Sequence, residues 1–193
     1  MVYTKGHPRD YNNSLYHIYY RAGQLYQSNG TKLYSLQVEL DLPYQGTQIF
    51  RGDAQHVAWI VDLVLDNNDY PVCIYSVQYN SAGLPVGQGG DDLRYFYARW
   101  HGSIWYNYSL AYAGCRLYAG EDDYSGLAAI EPDNPSTVYI STNSDPLTGN
   151  PLISHNDEQR HYELFCGKTN DSGQTWAWTA LTSDSNADNL RSI

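Results

Sequence analysis

The chain has 193 residues, of which 42% are hydrophobic and 15% aromatic, so it is long enough and apolar enough to bury a core. Its formal net charge of −10 and its pI near 4.8 argue against a nucleic-acid partner, because a polyanion requires a basic face. The first residues lack the charged-then-apolar run of a secretion signal, and no apolar stretch approaches the roughly 18 residues of a membrane span. We therefore expect no membrane partner, and the sequence does not mark a compartment.

Every element predicted along the chain is a β-strand. A short first unit is predicted at Ser14–Tyr20, Gln24–Gln27 and Lys32–Glu39. The middle unit is more regular, and its first strand is nearly all apolar, which is typical of a strand buried on both faces. Its four strands are predicted at Val57–Leu65, Pro71–Tyr79, Leu93–Trp100 and Ser103–Ala111.

A last unit repeats the plan of the middle one. Leu63–Ser76 aligns with Ala128–Ser141: each has an apolar run, an acidic turn and a second apolar run that ends in Ser. The strands of the last unit are predicted at Gly126–Ile130, Thr137–Thr142, His161–Gly167 and Trp176–Leu181. Repeated four-stranded antiparallel units are typical of β-propeller blades, whereas the rival fold, a two-sheet sandwich, predicts no repeat.

The sequence therefore predicts an all-β chain that forms a single, partial propeller domain over residues 1–193. It contains about two complete blades and a partial one, at approximately 10–45, 55–113 and 124–183. Sheet edges left open in such a domain attract strands of other chains. We therefore expect either self-association through those edges or a longer parent protein.

One local motif is specific. The run from Thr169 to Trp176 fits the Asp-box pattern S/T-x-D-x-G-x-x-W at Thr169, Asp171, Gly173 and Trp176. The Asp carboxylate can accept hydrogen bonds within its own turn, Gly can adopt a positive φ, and Trp can fill the gap between neighbouring sheets. The motif thus predicts a structural role for these residues.

With this motif the chain resembles the BNR/Asp-box propellers, a superfamily that includes sialidases, and within it the BNR-repeat group that contains ulvan-lyase-like proteins. The further residues that carry the resemblance are Asp10–Tyr16, Ala58–Asp62, Tyr97–Trp100, Asp123–Gly126, Thr137–Asn143 and Asp188–Arg191. The resemblance implies a polysaccharide or other glycan as partner. It also implies an extracellular or periplasmic location.

In such a propeller the loops opposite the Asp-box turns form the functional face. Elimination beside a uronate needs a cation, a base and an acid. The predicted catalytic residues are His56 as base, Tyr124 as acid, and Arg116 or Arg191 as the cation. The predicted substrate-binding residues on the same loops are Arg51, Arg94, His155, Arg160 and His161. A polar cluster near the start, with His7 and Arg9, forms either a wall of the site or a simple turn.

These residues favour a carbohydrate-active protein that cleaves an acidic polysaccharide by β-elimination. Two alternatives remain open: a non-catalytic glycan-binding or structural propeller fragment, and a sialidase-like glycoside hydrolase. The latter would require clustered Arg residues, a Tyr nucleophile and an Asp acid.

No cofactor is expected. Three scattered cysteines without a CxxC spacing predict neither a disulfide framework nor a zinc site. The run Asp184–Asp188 alternates oxygen ligands as a calcium loop does, but it lacks the Gly and the distal Glu of an EF-hand, so calcium is only a weak hypothesis.

Overall fold

The computed structural model describes residues 1–9, 12–35 and 43–191, and within these ranges the predicted all-β class is confirmed. Asp10, Tyr11 and the part of the predicted strand Lys32–Glu39 beyond Ser35 lie outside the described residues. The strands form three antiparallel sheets, of five, four and four strands.

The first sheet contains five short strands. They are β1 (Val2–Thr4), β2 (Leu15–Arg21), β3 (Gln24–Gln27), β4 (Lys32–Ser35) and, after a 3₁₀ turn at Pro43–Gln45, β5 (Thr47–Phe50). The sequence analysis did not predict β1 and β5. Both pair with β2, one on each side of its first residues, and both are too short to show an alternating pattern.

The middle and third sheets are four-stranded meanders with their strands in chain order. The middle sheet consists of β6 (Val57–Leu65), β7 (Pro71–Gln78), β8 (Leu93–Trp100) and β9 (Trp105–Gly114). The third consists of β10 (Ala128–Ile130), β11 (Thr137–Thr142), β12 (Glu163–Lys168) and β13 (Ala177–Ala180). The alignment of the two sequence units therefore corresponds to the same strand order in two sheets.

The middle sheet is packed on both faces. Val72 and Ile74 of β7 pack in one apolar cluster with Val138 and Ile140 of the third sheet. The intervening β7 residues pack in a second cluster with Val2, Leu15 and Ile49 of the first sheet. Every residue of β7 is consequently buried. The apolar β6, predicted to be the strand buried on both faces, is only half-buried beyond Ala58 because it forms the edge of its sheet.

Polar groups also connect the middle and third sheets. The hydroxyl of Tyr95 lies 3.0 Å from Ser125 Oγ and from the carbonyl oxygen of Leu127, and the hydroxyl of Tyr97 donates to the carbonyl of Pro135 at 2.9 Å. Both tyrosines are completely buried. Such hydroxyls require a partner, since a buried polar group without one costs about 1–3 kcal/mol.

The Asp-box turn lies between β12 and β13 and closes on itself. Asp171 accepts hydrogen bonds from the hydroxyl of Thr175 at 2.6 Å, the amide of Thr175 at 2.9 Å and the hydroxyl of Thr169 at 2.8 Å. These bonds, the Thr175 hydroxyl first, lower the pKa of Asp171 to about 2. Gly173 has a φ of 99°, and a Cβ there would overlap the ring of Tyr97. Trp176 packs edge-on to Tyr97 with ring centroids 5.2 Å apart, so the turn holds the third sheet against the middle one.

Replacing Tyr95 with Phe should destabilise the fold by about 1–2 kcal/mol, because the substitution removes a buried donor between two sheets and preserves the ring. Urea denaturation followed by tryptophan fluorescence measures the change. The matched control is Tyr20→Phe, at a ring that is 56% exposed, which should stay within about 0.5 kcal/mol of the parent. Equal effects of the two substitutions would show that the Tyr95 hydroxyl does not stabilise the packing.

His17 should make the fold sensitive to acid. Burial, and to a smaller extent the nearby N-terminal amine, lower the pKa of His17 from 6.5 to about 4. Between these two values the unfolded chain binds a proton that the folded chain does not, so stability falls as the pH decreases from 6.5 to 4, by at most about 3 kcal/mol. Urea unfolding at several pH values should therefore give a flatter profile for His17→Gln than for the parent.

The control for this prediction is His101→Gln, at an exposed histidine, which should retain the parent's pH slope. The raised pKa of His161 acts in the opposite direction, because its partner Asp157 favours the charged form, but it is the same in all three proteins. A parental slope in His17→Gln would refute the assignment.

Candidate functional site

Three segments meet at the end of the stack where β7 ends and β8 begins: residues 5–9, 79–92 and 115–127. The side chains of Arg9 and Glu121 form an ion pair between the first and the last of them. The amide of Gly87 donates to Asp122 Oδ2 at 2.8 Å, which connects the second to the third. Loops that follow strands of the first and middle sheets therefore form one continuous polar surface, at the end of the stack opposite the Asp-box turn.

A cavity of about 130 Å³ opens in this surface. The ring of Trp59 on β6 and the ring of Tyr124 lie in its wall, with centroids 5.8 Å apart. His7 packs edge-on to Trp59 at 4.5 Å, and Tyr118 lies 5.9 Å from Tyr124. The remaining lining residues are Ile60, Val61, Ser76, Asp123, Ser125 and Leu127.

Two anchors position these rings. The fully buried Asn13 donates to the carbonyl of Gly6 at 2.6 Å and accepts from its amide at 3.2 Å, which fixes the segment that carries His7. Ser125, the residue after Tyr124, is hydrogen-bonded to Tyr95. Tyr124 itself remains 38% exposed, so its phenol is accessible from the cavity mouth.

Asp123 is the unusual group of the cavity. Its side chain is buried, and in the described part of the chain its Oδ2 atom has no hydrogen-bond partner. Burial raises the pKa of Asp123, and the neighbouring Asp122 raises it further, while His7 and Arg9 partly oppose the shift. A carboxylate in this state is a strong acceptor for a group that enters the cavity.

Arg116 forms an ion pair with Asp122, the residue before Asp123, and neither lies among the residues that line the cavity. Asp122 Oδ2 accepts the amides of Gly87 and Gly89, and Asp122 Oδ1 lies 3.5 Å from Arg116 Nη1. Arg116 also donates to the carbonyl of Gly89. The Arg116 guanidinium is therefore fixed against the loop, with an exposed fraction of 28% facing solvent.

His56 and Arg94 both contact Tyr79, at the start of the second segment, and neither lines the Trp59–Tyr124 cavity. The ring of His56 packs edge-on to Tyr79 at 4.5 Å, and its two nitrogens face Asp53 and Asn80 at 3.0 and 3.1 Å. The Arg94 guanidinium lies 3.9 Å above the same Tyr79 ring and binds Asp92 with two nitrogens. Tyr79 packs with the cluster that faces the first sheet, whereas Tyr124 lies on the side of the third sheet.

The other predicted residues are distributed around the third sheet and its neighbourhood. The amide of Arg191 donates to the carbonyl of Gly126 at 3.2 Å. The backbone of Arg191 therefore lies beside Gly126, which follows Tyr124 by two residues in the sequence. Arg160 donates to the carbonyl of Asn143 at 2.8 Å and to Ser144, and Arg51 is exposed beside β5.

His155 and His161 fix the tail that follows β13. His155 Nδ1 lies 2.7 Å from Asp184, and its side chain is 91% exposed. His161 lies between Asp157 at 2.8 Å and Asp188 at 3.5 Å, and Asp157 in particular raises its pKa. Of the predicted catalytic set, Tyr124 lines the cavity. Arg116 and the backbone of Arg191 contact neighbouring loop residues, and His56 contacts the second segment outside the cavity.

Sequence reasoning treated His7 as part of a wall or a turn and did not select Trp59, Tyr118 or Asp123 for the site. For Tyr118 and Asp123 the available signal was the acidic run Glu121-Asp122-Asp123, and Trp59 lies far from that run in the sequence. Periodicity could not show that the His7 ring, more than 50 residues earlier than Trp59 in the chain, packs against it.

The possible calcium loop has other contacts. Asp184 accepts the amide of His155 at 2.8 Å, and Asp188 accepts the amide of Tyr162 at 3.0 Å. Among the residues that the structure describes, no three His, Cys, Asp or Glu side chains form a group that could hold a metal ion. The described cysteines, Cys73, Cys115 and Cys166, are not joined in disulfides.

Comparison of the chain with protein-family models, with curated proteins and with solved structures found no match. In the described ranges, no helix is long enough and apolar enough to span a membrane. Any functional conclusion therefore rests on the geometry of the site and on the resemblance carried by the sequence motifs.

Replacing Asp123 with Asn should stabilise the folded chain at neutral pH by about 1 kcal/mol, because it removes a buried charge whose Oδ2 atom has no hydrogen-bond partner among the described residues. The raised pKa of Asp123 predicts that this gain disappears as the pH falls and the parent carboxyl becomes protonated. Thermal denaturation at pH 7 and pH 4 measures both effects. Asp69→Asn, in an exposed turn, is the control, and a destabilised Asp123→Asn variant at pH 7 would contradict the prediction.

Proposed function

We propose that this chain is a carbohydrate-active protein that binds an acidic polysaccharide in the Trp59–Tyr124 cavity and cleaves it by β-elimination beside a uronate. The observation that carries the proposal is the convergence of aromatic rings on a cavity with a buried carboxylate whose oxygen lacks a partner. Buried polar groups without a partner are rare in folded proteins, and a ligand that supplies the missing hydrogen bond explains this one.

The cavity has the dimensions and chemistry for one sugar ring. A volume of about 130 Å³ is close to the roughly 150 Å³ of a protein cavity that admits benzene. The aliphatic face of a pyranose packs on Trp59 and Tyr124, and its hydroxyl groups need acceptors, which Asp123 supplies. This division between apolar face and polar edge distinguishes a sugar from a purely apolar ligand.

Elimination requires that a proton leave the carbon beside the carboxylate while the bond to the leaving oxygen breaks. The electrons of the C–H bond form the C=C bond, and the leaving oxygen takes up a proton. Tyr124 can perform both transfers in this scheme, as phenolate for the first and as phenol for the second. The cations nearest in the chain are Arg9 and Arg116, which pair with Glu121 and Asp122 of the loop that carries Tyr124, and in this scheme they stabilise the charge that develops on the carboxylate.

His7 has a positioning role in this scheme. Its Nδ1 atom accepts the amide of Arg9 at 3.2 Å, so the proton of the neutral ring resides on Nε2, which can donate to the substrate. His56 is not used, because both of its nitrogens face other partners. Hydrolysis of the sialidase type is less well supported, since Arg94, Arg116 and Arg160 each bind separate local partners instead of clustering.

The same proposal extends to the fold. We infer that the three stacked sheets are blades of a BNR/Asp-box propeller. The repeated strand order of the second and third sheets supports this inference, as does the Asp-box turn whose Trp176 packs against the neighbouring sheet. The cavity lies at the end of the sheets opposite that turn, where the sequence resemblance places the functional face.

The experiment combines binding and turnover with ulvan and other uronate polysaccharides. Calorimetry measures binding, and the ultraviolet absorbance of the unsaturated product measures turnover. Trp59→Ala should lose binding at least tenfold, because it removes the stacking ring. Tyr124→Phe should bind within about threefold of the parent but lose turnover about 100-fold or more, because only the proton-transferring hydroxyl is missing.

Tyr20→Ala, which removes an exposed ring outside the cavity, is the matched control and should behave as the parent. Binding by the parent without any product would assign the chain to the non-catalytic glycan-binding alternative. Absence of binding to every polysaccharide, or parental binding by Trp59→Ala, would overturn the proposed cavity.

A further inference from the structure

A second pocket lies at the opposite end of the middle sheet, beside the Asp-box turn. It has a volume of about 320 Å³, and we refer to it as the Tyr106 surface. Its residues come from β8, from β9 with the hairpin that joins them, and from the Asp-box turn: Arg99, His101, Tyr106, Tyr108, Ser172 and Gln174. None of these residues contributes to the Trp59–Tyr124 cavity.

Two tyrosine rings form the floor of this surface. Tyr106 and Tyr108 are two residues apart on β9, so their side chains project from the same face of the sheet. Their ring planes differ by 8°, and the centroids are 6.3 Å apart. The edge of the His101 ring packs on Tyr106 at 5.6 Å.

These rings are not part of the core. Tyr106 is 41% exposed, and neither Tyr106 nor Tyr108 belongs to the two apolar clusters that hold the sheets together. The nearby Tyr97 and Trp176, in contrast, bury their rings between the sheets. The parallel arrangement of Tyr106 and Tyr108 therefore needs an explanation other than packing.

A polar rim surrounds the rings. Arg99 donates to Asp66 Oδ2 at 2.6 Å, and Asp66 is in turn fixed by the amides of Asn68 and Tyr70. The side chain of Gln174 donates to the carbonyl of Asp171 at 3.0 Å, which anchors it to the Asp-box turn. The hydrogen-bonding groups of the rim are thus held in place before any ligand arrives.

We propose that the Tyr106 surface is a second carbohydrate contact, which binds a stretch of polysaccharide outside the cavity. Flat parallel rings with hydrogen-bonding side chains at their edges match the apolar faces and hydroxyl edges of consecutive sugar residues. Arg99, His101, Ser172 and Gln174 supply hydrogen-bonding groups for sugar hydroxyls around the rings, and the net charge of −10 opposes a nucleic acid.

Native gel electrophoresis through gels that contain a soluble polysaccharide tests this surface directly. The double variant Tyr106→Ala/Tyr108→Ala should weaken the retardation of the protein about tenfold in apparent Kd, because two stacking rings are lost. The conservative variant Tyr106→Phe/Tyr108→Phe keeps the rings and should stay within about threefold of the parent. Both are compared with Tyr20→Ala, and thermal denaturation verifies that each variant is folded.

Calorimetry with a short oligosaccharide separates the two sites. Loss of polymer retardation in the Tyr106/Tyr108 alanine variant, with unchanged oligosaccharide binding, supports the second contact, whereas Trp59→Ala should weaken the binding of both the oligosaccharide and the polymer. If Trp59→Ala binds as the parent while the alanine variant loses retardation, the cavity assignment fails and the Tyr106 surface stands. Parental retardation of the alanine variant, or no retardation of the parent by any polysaccharide, overturns the second contact.

Discussion

Burial of the middle sheet on both faces is the constraint on which the rest of the structure depends. Because β7 has no solvent-facing side, each of its residues must be accommodated by a neighbouring sheet. The third sheet covers Val72 and Ile74, and the first covers Cys73, Tyr75 and Val77. Large tyrosines fill this interior, and their hydroxyls bind defined acceptors: Tyr95 and Tyr97 reach the third sheet, and Tyr75 donates to Asn107 at 3.0 Å. The positions of the sheets are thereby fixed by directional bonds as well as by apolar contact.

The two ends of this stack have different chemistry because successive loops of an antiparallel meander lie at opposite ends of the sheet, so each end has its own set of loops. The Asp-box turn at one end satisfies its own polar groups, so its carboxylate is held in an ionised, fully bonded state with a pKa of about 2. At the other end, long connections carry Asp122, which binds two backbone amides and Arg116, and Asp123, whose buried Oδ2 atom has no hydrogen-bond partner among the described residues. The same residue type is fully bonded at one end and short of a hydrogen bond at the other, and the local backbone makes the difference.

Local patterns in the sequence were sufficient to predict the strands of the middle and third sheets, and contacts between distant segments were not. The predicted strand at Pro71–Tyr79 ends within a residue of β7, since the seven residues from Pro71 to Val77 are all apolar or small. β9 instead continues to Gly114, beyond the predicted Ala111, because two bulges in its pairing with β8 extend the register. Of the candidate site, Tyr124 and Arg116 could be selected because their loop is polar and long. His7 and Trp59 could not, since only the packing of the first sheet on the middle one brings their rings together.

Under the proposed function, the charge distribution limits how this acidic chain can hold an acidic polymer. Three arginines each pair with one carboxylate: Arg9 with Glu121, Arg94 with Asp92 and Arg116 with Asp122. They therefore offer short-range hydrogen bonds and little long-range attraction. Affinity must then come from ring stacking and from hydroxyl groups that satisfy acceptors such as Asp123. Each such contact is weak by itself, but a polymer that reaches two of them binds the second at a high effective concentration. In this proposal, the cavity for one ring and the distant Tyr106 surface together provide the affinity that long-range attraction does not.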